Sequence, residues 1–407
     1  MPLTVVMISP GYPGEMPLFT RGLKSVGARV IGLGDQPDSA LAQLARDSLA
    51  GYIQVPSLWD EAKVVELVVQ ALKGQTVGRV ECLWEPGMML AARLRQALGS
   101  EGLTPDETLR FRDKELMKQA LDAAGIRTPR HRRAASVGEA REAAQAIGYP
   151  LIIKPIAGAG SQNTHRVDDE AGLARVLPEL RQVPEVSVEE FIEGEEYTFD
   201  TICAGGEILY YNICTYRPRP LIARTLEWVS PQTLALRDPD AARLEPGRKL
   251  GRAVLQALGF NTGFTHMEWF LRPDGEAVFG EIAARPPGAR TVDIMNYASD
   301  IDLFAGWAEA VCHGRFSQRV ERRYNAAIIC KRARGSGRIQ RVEGLGPLLA
   351  ELGPAVVCVD LLVPGSQRRD WKQTLLSDGF LIVRHADLET TMRLADRVGT
   401  DLQLYAE

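Results

Sequence analysis

Residues 264–288 read FTHMEWFLRPDGEAVFGEIAARPPG. The first eight are rich in β-branched and aromatic side chains, RPDG is turn chemistry, and EAVFGEIA is a second strand-like run. The stretch therefore reads as a β-hairpin. With the turn centred between Pro273 and Asp274, Glu268 pairs with Phe279 and Glu281 falls on the diagonal from Glu268. Side chains alternate with period two, so both carboxylates share a face. Diagonal partners lie about 7–8 Å apart, within reach of one hard cation. Mg²⁺ is held by one or two carboxylates together with substrate phosphates. The competing reading is two solvated glutamates on an exposed sheet face.

At 407 residues the chain has room for two or three structural units, and 45% apolar with 25% charged residues is ordinary globular composition. A net charge of −4 gives no bulk attraction for nucleic acid or an anionic membrane. No apolar run reaches 18 residues, so no membrane-spanning helix is expected. The N-terminus lacks a basic n-region and reads as a strand entering a loop, not as a signal peptide. The six cysteines show no CxxC spacing and most sit in apolar strand or helix patterns, which favours buried reduced thiols of a cytoplasmic protein over zinc ligands or disulfides.

Residues 1–102 alternate strand and helix: LTVVMIS, MPLFTRGLKSVG, ARVIGLG, DEAKVVELVVQALKG, RVECLW and MMLAARLRQALG. That order implies βαβ units and a doubly wound parallel sheet. The loop SPGYPGEM lies at the carboxyl end of the first strand, where such sheets bind ligands, but no GxGxxG accompanies it. Residues 103–320 change to mixed helices and antiparallel strands, an α+β pattern. Residues 321–407, with AAIICKRA, AVVCVDLLV, FLIVRHA and a closing helix, read as a small α+β appendage.

Two further segments carry chemistry. In LIIKPIAGAGSQNTHRV an apolar strand delivers Lys154, followed by Gly158, Gly160 and Ser161. Glycines let backbone amides approach phosphate oxygens and a lysine adds a point charge. The order is not that of a P-loop, and a plain hairpin also fits. In EVSVEEFIEGEEYTFD acidic residues are embedded in an apolar strand, which is costly unless they are paired. Such a segment can meet an adenine with its backbone and a ribose with one carboxylate, or be an acidic loop on an edge strand.

Four elements thus follow in order: Lys114 opening a helix, Lys154 before a glycine loop, EEFIEGEE at 189–196, and the hairpin ending GEIAARPPG. Together they resemble the ATP-grasp superfamily of carboxylate–amine ligases. The tail segments GRIQRVEGL, LVPGSQ and DGFLIVRHADLETTMRLA are similar to the C-terminal subdomain of the L-amino-acid ligase branch. The resemblance implies a pre-ATP-grasp domain at 1–102, a two-subdomain ATP-grasp core at 103–320 with a lid at about 120–190, and a C-terminal subdomain at 321–407. It implies that Lys114 and Lys154 hold the α- and β-phosphates while Gly158, Gly160 and Ser161 close over them. Glu189, Glu190, Phe191 and Ile192 would form the adenine hinge, and Glu196 would accept from ribose hydroxyls. Glu268 and Glu281 would bind Mg²⁺ (or Mn²⁺), and Arg285 would face the γ-phosphate or an acyl-phosphate. The family often has an asparagine two residues after the second metal glutamate; here that position is Ala283.

The implied activity is ADP-forming amide ligation between small-molecule carboxylate and amine substrates, with amino acids favoured and a homodimer compatible. A purine-precursor or natural-product branch, or a non-catalytic nucleotide sensor, are the alternatives. Other residues are open. His266 is either a partner of a metal carboxylate or a structural histidine. Arg217, Arg219 and Arg224 either grip a substrate carboxylate or belong to a solvated loop. Arg290 stands beside the hairpin as a further carboxylate ligand. Glu15 caps its helix or points at substrate. Trp228 is a pocket wall or plain core.

Overall fold

The computed structural model describes residues 2–158 and 163–407. The first sheet contains β1 (Thr4–Ile8), β2 (Arg29–Gly34), β3 (Gly51–Gln54) and β4 (Arg79–Glu81), all parallel in the order β3-β2-β1-β4. Alternate residues of β1 feed two cores. Val5 and Met7 pack with Phe19 and Leu23 of helix Met16–Ser25. Val6 and Ile8 pack with Val64 and Val68 of helix Glu61–Ala71 and with Leu90 and Leu94 of helix Met88–Leu98. A strand buried on both faces is the mark of a doubly wound sheet, so the expected architecture is present. The short, half-polar β3 had no strand signal.

The segment 131–190 forms a separate antiparallel sheet. Its strands are β5 (His131–Ala134), β6 (Leu151–Pro155), β7 (His165–Val167) and β8 (Val186–Glu190), in the order β5-β8-β6-β7. Helix Val137–Ile147 covers it through Ala140, Ala143, Ala144 and Ile147.

The largest sheet takes in most of the rest. It begins with β9 (Glu195–Ala204), β10 (Glu207–Asn212), β11 (Cys214–Arg217), β12 (Gln232–Ala235), β13 (Gly263–Leu271), β14 (Ala277–Ala283) and β15 (Asn325–Cys330). Next in the chain come β16 (Arg334–Gly335), β17 (Ile339–Glu343), β18 (Val356–Leu361), β19 (Gly379–His385) and β20 (Gln403–Ala406). The order is β14-β13-β9-β11-β12-β15-β19-β18, with β10 on β9, while β16, β20 and β17 form a small sheet of their own. The tail is therefore no appendage in its backbone. AAIICKRA pairs with β12 and FLIVRHA pairs with β15, carrying the central sheet onward. All six residues of β15 are buried, which a separate surface subdomain would not require. Helix Leu388–Asp401 and the small sheet pack on this extension, in a core that joins Ala395, Val398 and Leu404 to Leu234, Ala327, Ile329 and Leu381.

The hairpin at 263–283 forms, but not in the expected register. Glu268 lies directly opposite Glu281, and Trp269 opposite Phe279, with a bulge at Gly280 between them. A Cβ at Gly280 would sit 2.8 Å from the Glu268 carbonyl oxygen, so this close approach needs glycine. The bulge brings the two carboxylates closer than the diagonal placement does.

The N-terminal unit is welded to the central sheet. Helix Met16–Ser25 crosses helix Leu303–His313, with Phe19 edge-on to Phe304 (4.8 Å) and Trp307 (5.3 Å). A Cβ at Gly22 would lie 2.3 Å from the Phe304 carbonyl oxygen. No helix among the described residues is long and apolar enough to cross a membrane. Gly22→Ala should therefore destabilise the protein by about 1–3 kcal/mol through overpacking, despite alanine's better helix propensity. Thermal denaturation checks this: an unchanged or raised midpoint would mean that the two helices have room to part.

Candidate active site

Five side chains of alternating charge run in a row beneath a cleft between the 131–190 sheet and the hairpin; four of them line it, and the fully buried Lys118 lies behind. Lys114 opens helix Lys114–Ala123, whose N-cap Asp113 accepts the amides of Glu115 and Leu116. The Lys114 Nζ lies 3.6 Å from Glu281 Oε2 and donates to the Gly158 carbonyl at 3.1 Å. Lys154, near the end of β6, reaches the same Glu281 oxygen at 3.6 Å and Glu189 Oε2 at 3.0 Å. Lys118, one turn after Lys114, contacts Glu189 Oε1 at 2.8 Å, and the Ser187 hydroxyl donates to the same oxygen at 2.8 Å. Lys118 is fully buried and Glu189 nearly so. Burial alone would raise both carboxyls. Lys118 and Lys154 outweigh it at Glu189, holding it well below the usual range. Lys114 and Lys154 outweigh it at Glu281, holding that group down at about 2. In return Glu189 and Glu281 keep Lys154 charged against its own burial.

The second metal candidate, Glu268, faces other partners. The Tyr216 hydroxyl donates to it at 3.2 Å, and His266 Nε2 lies 3.6 Å away. His266 Nδ1 contacts Asp200 at 2.6 Å, and the wholly buried Asp200 also accepts from the Thr198 hydroxyl at 2.5 Å. Burial acts to discharge His266, but Asp200 and Glu268 prevail and lift it to about 9. His266 is thus a charged partner of Glu268, one of its two expected readings. Ala283 lies opposite His266 and offers no oxygen ligand.

The cleft is open to solvent and is lined from the 131–190 sheet, from β9 and from both strands of the hairpin. Its apolar lining includes Ile152, Phe191, Ile192, Leu221 and Phe270. The Phe191 ring lies between guanidinium groups, 4.2 Å from Arg166 and 5.3 Å from Arg219. Glu196 accepts from Arg219 Nε at 3.3 Å. Burial and then the neighbouring Glu268 raise Glu196 to about 7, against the pull of Arg219. Glu190 accepts from Arg127 (3.2 Å) and from the Arg130 amide (3.1 Å), so its carboxylate faces away from Lys154.

The structure thus gathers Lys114, Lys154, Gly158, Glu189, Glu190, Phe191, Ile192, Glu196, Glu268 and Glu281 around one cleft. Gly160 and Ser161 lie outside the described residues. The Glu189 carboxylate is engaged by lysines, which leaves its backbone, not its side chain, for any hinge role. Arg285 and Arg290 stand apart, at the seam with the N-terminal unit. Arg285 pairs with Glu85, which Arg112 also grips at 2.9 Å. The Arg290 guanidinium lies 3.5 Å from Asp293, and its amide donates to Glu15 at 2.9 Å. Glu15 therefore does not cap its own helix by its side chain, contrary to expectation; it binds the start of the following helix Thr291–Ser299.

The arginine trio disperses. Arg217 binds Gln232 and Asp396, Arg219 binds Glu196, and Arg224 donates to the Lys372 carbonyl. Trp228 is 80% exposed, neither wall nor core. Lys118, Glu85 and Asp200 carried no sequence assignment. For Lys118 a signal existed: it sits four residues after Lys114, on the same helix face. All six cysteines are free thiols, four of them buried.

Glu268 and Glu281 supply hard carboxylate oxygens on facing positions, and Glu281 is already shared with two phosphate-binding candidates. That donor set fits a divalent ion bound jointly with phosphates. Among the described residues no group of three or more His, Cys, Asp or Glu forms a cage for a metal on its own.

Glu196 gives a stability test with a defined sign. Its folded-state pKa is raised, so ionising it costs more in the folded chain than in the unfolded one. Stability falls as pH rises from the unfolded value near 4.5 through about 7. Glu196→Gln keeps the acceptor for Arg219 and removes that cost. The variant should have a higher thermal midpoint than wild type at pH 8, and the gain should vanish below pH 4.5. A pH-independent difference would show that Glu196 ionises freely.

Residues 111–217 match the ATP-grasp domain described as ATP-grasp_3. The chain is 29% identical over 257 residues to an L-arginine-specific L-amino acid ligase of Bacillus subtilis, covering 61% of each chain. It is 27% identical over 304 residues to a formate-dependent phosphoribosylglycinamide formyltransferase of Synechocystis sp., covering 73% of each. The chain thus spans less than two thirds of the first relative's length. The crystal structure of an L-amino acid ligase from Bacillus licheniformis superposes with a TM-score of 0.81 at 19% identity, covering 100% of this chain and 99% of that one. Over residues 111–217, which include Lys114, Lys154, Glu189 and Glu196, the chain thus matches the ATP-grasp domain.

Proposed function

We propose that the protein is an ATP-dependent carboxylate–amine ligase that forms an amide through an acyl-phosphate, releasing ADP and phosphate, with amino acids as substrates. The observation that carries this reading is the convergence of Lys114 and Lys154, from different elements, on Glu281 at 3.6 Å each. Two lysines already aimed at one point suit an incoming polyphosphate. A substrate carboxylate oxygen attacks the γ-phosphorus, the bond to the β-phosphate oxygen breaks, and ADP leaves. The amine nitrogen then attacks the acyl carbon, loses a proton, and expels phosphate with the former carboxylate oxygen. Such chemistry needs positioning and charge neutralisation more than a protein nucleophile.

The residues divide this work. Lys114 and Lys154 neutralise phosphate oxygens, and Lys118 and Glu189 fix Lys154 from behind. Phe191, Ile192 and Phe270 provide apolar walls for a base, and Glu196 an acceptor for sugar hydroxyls. Mg²⁺ or Mn²⁺, held by Glu268 and Glu281, would supply charge neutralisation of the polyphosphate. Tyr216 and His266 orient Glu268.

Amino acids as substrates rest on the likeness to the Bacillus ligases. A purine-precursor substrate is the second reading, favoured by the longer match to the Synechocystis enzyme.

Incubation with ATP, Mg²⁺ and paired amino acids should yield ADP and phosphate, with ¹⁸O from the labelled carboxylate in the phosphate. AMP and pyrophosphate would indicate adenylation instead. Glu281→Gln should lower turnover by roughly 10²–10³-fold, the scale of losing one preorganised charge group, with circular dichroism unchanged. Near-normal turnover in that variant would remove Glu281 from the chemistry.

A further inference from the structure

Three aromatic residues stand at the carboxyl edge of the N-terminal sheet, outside the cleft already described. Tyr12 follows β1, Trp59 follows β3 and Trp84 follows β4. Trp84 is the centre: Tyr12 meets it edge-on at 5.9 Å and Trp59 at 5.5 Å. Trp84 is partly buried and fixed, because its carbonyl accepts from the Cys82 thiol at 3.3 Å and a Cβ at Gly87 would lie 3.3 Å from its ring. Its two partners are open, Tyr12 at 62% and Trp59 at 69% exposure. Large rings left this open are unfavourable in water unless something covers them.

Their place in the fold says what kind of ligand does so. In the order β3-β2-β1-β4 the chain runs outward from β1 in both directions, so β1 and β4 flank the topological switch point. Open α/β sheets bind small ligands in the crevice beyond that point. The rings adjoin the arginine seam. Trp84 immediately precedes Glu85, the partner of Arg285, and Tyr12 lies three residues before Glu15, which holds the Arg290 amide. Glu85, next to Trp84, is taken by Arg112 and Arg285. A neutral ring needs no counter-charge and gains edge-to-face contacts from the open rings.

The geometry points to a side-chain subsite formed by Tyr12, Trp59 and Trp84 that takes the neutral aromatic side chain of an amino-acid substrate. This rests on the ligase reading above and adds the class of side chain. Trp59 is so exposed that its replacement leaves the fold intact.

ADP release is measured with the full chain, ATP and Mg²⁺, with L-phenylalanine or L-alanine as the varied amino acid. The wild type should favour phenylalanine at least tenfold in kcat/KM. Trp59→Ala should reduce that ratio at least tenfold, Trp59→Phe should retain it, and the distant exposed Trp228→Ala should not change it. A ratio unaffected by Trp59→Ala, a wild-type preference for alanine, or a dimer that Trp59→Ala dissociates in sedimentation would overturn the subsite. Absence of ADP release with both amino acids would instead defeat the ligase reading. Calorimetric titration with phenylalanine then decides the subsite separately: saturable binding lost in Trp59→Ala upholds it, and no binding to wild type overturns it.

Discussion

The site depends on an alternating row of charges: Lys114, Glu281, Lys154, Glu189, Lys118. Three lysines this close would repel one another and, once buried, would shed their protons. Removing an ion from water costs several kcal/mol, and one partner seldom offsets it. Here Glu189 serves two lysines and Glu281 serves two, so each buried charge meets the opposite sign. The row also joins separate sheets. Lys154 and Glu189 come from the 131–190 sheet, Lys114 and Lys118 from the helix before it, and Glu281 from the central hairpin. The 131–190 sheet is thereby registered against the hairpin by charge, while its own core is packed separately.

A second set of ion pairs registers the N-terminal unit. Glu85 bridges Arg112 and Arg285, and Glu15 holds the Arg290 amide. Both acids sit in loops at the carboxyl edge of the parallel sheet, where backbone is released from pairing. The packing of Gly22 against Phe304 sets the distance across which these contacts form. Two kinds of contact thus join the units: apolar helix packing, and charged side chains from the loops at the sheet edge.

Much of this was legible in the sequence because its signals were local. The N-terminal strands are continuous apolar runs, and Lys154 and the hairpin carry strand chemistry followed by glycine turns. What failed was non-local. The hairpin register depended on the bulge at Gly280, which the alternation of FTHMEWFL and EAVFGEIA does not reveal. The tail looked detachable because nothing in AAIICKRA says that its partner is Gln232–Ala235. Nothing local in EVSVEEFI says that the Glu189 carboxylate is bound by Lys118, 71 positions earlier. Trp228 invited a buried role by residue type alone, and it is exposed.

On the ligase reading, Glu281 holds Lys114 and Lys154 in place until a polyphosphate takes them over. Calorimetric titration of ATP into wild type and Glu281→Gln, with and without Mg²⁺, decides whether it does. Without the metal, the variant should bind ATP more tightly, because no carboxylate competes for Lys114 and Lys154. With Mg²⁺, the wild type should gain affinity and the variant should gain little. Weaker metal-free binding in the variant, or an equal gain from Mg²⁺ in both proteins, would contradict this role for Glu281.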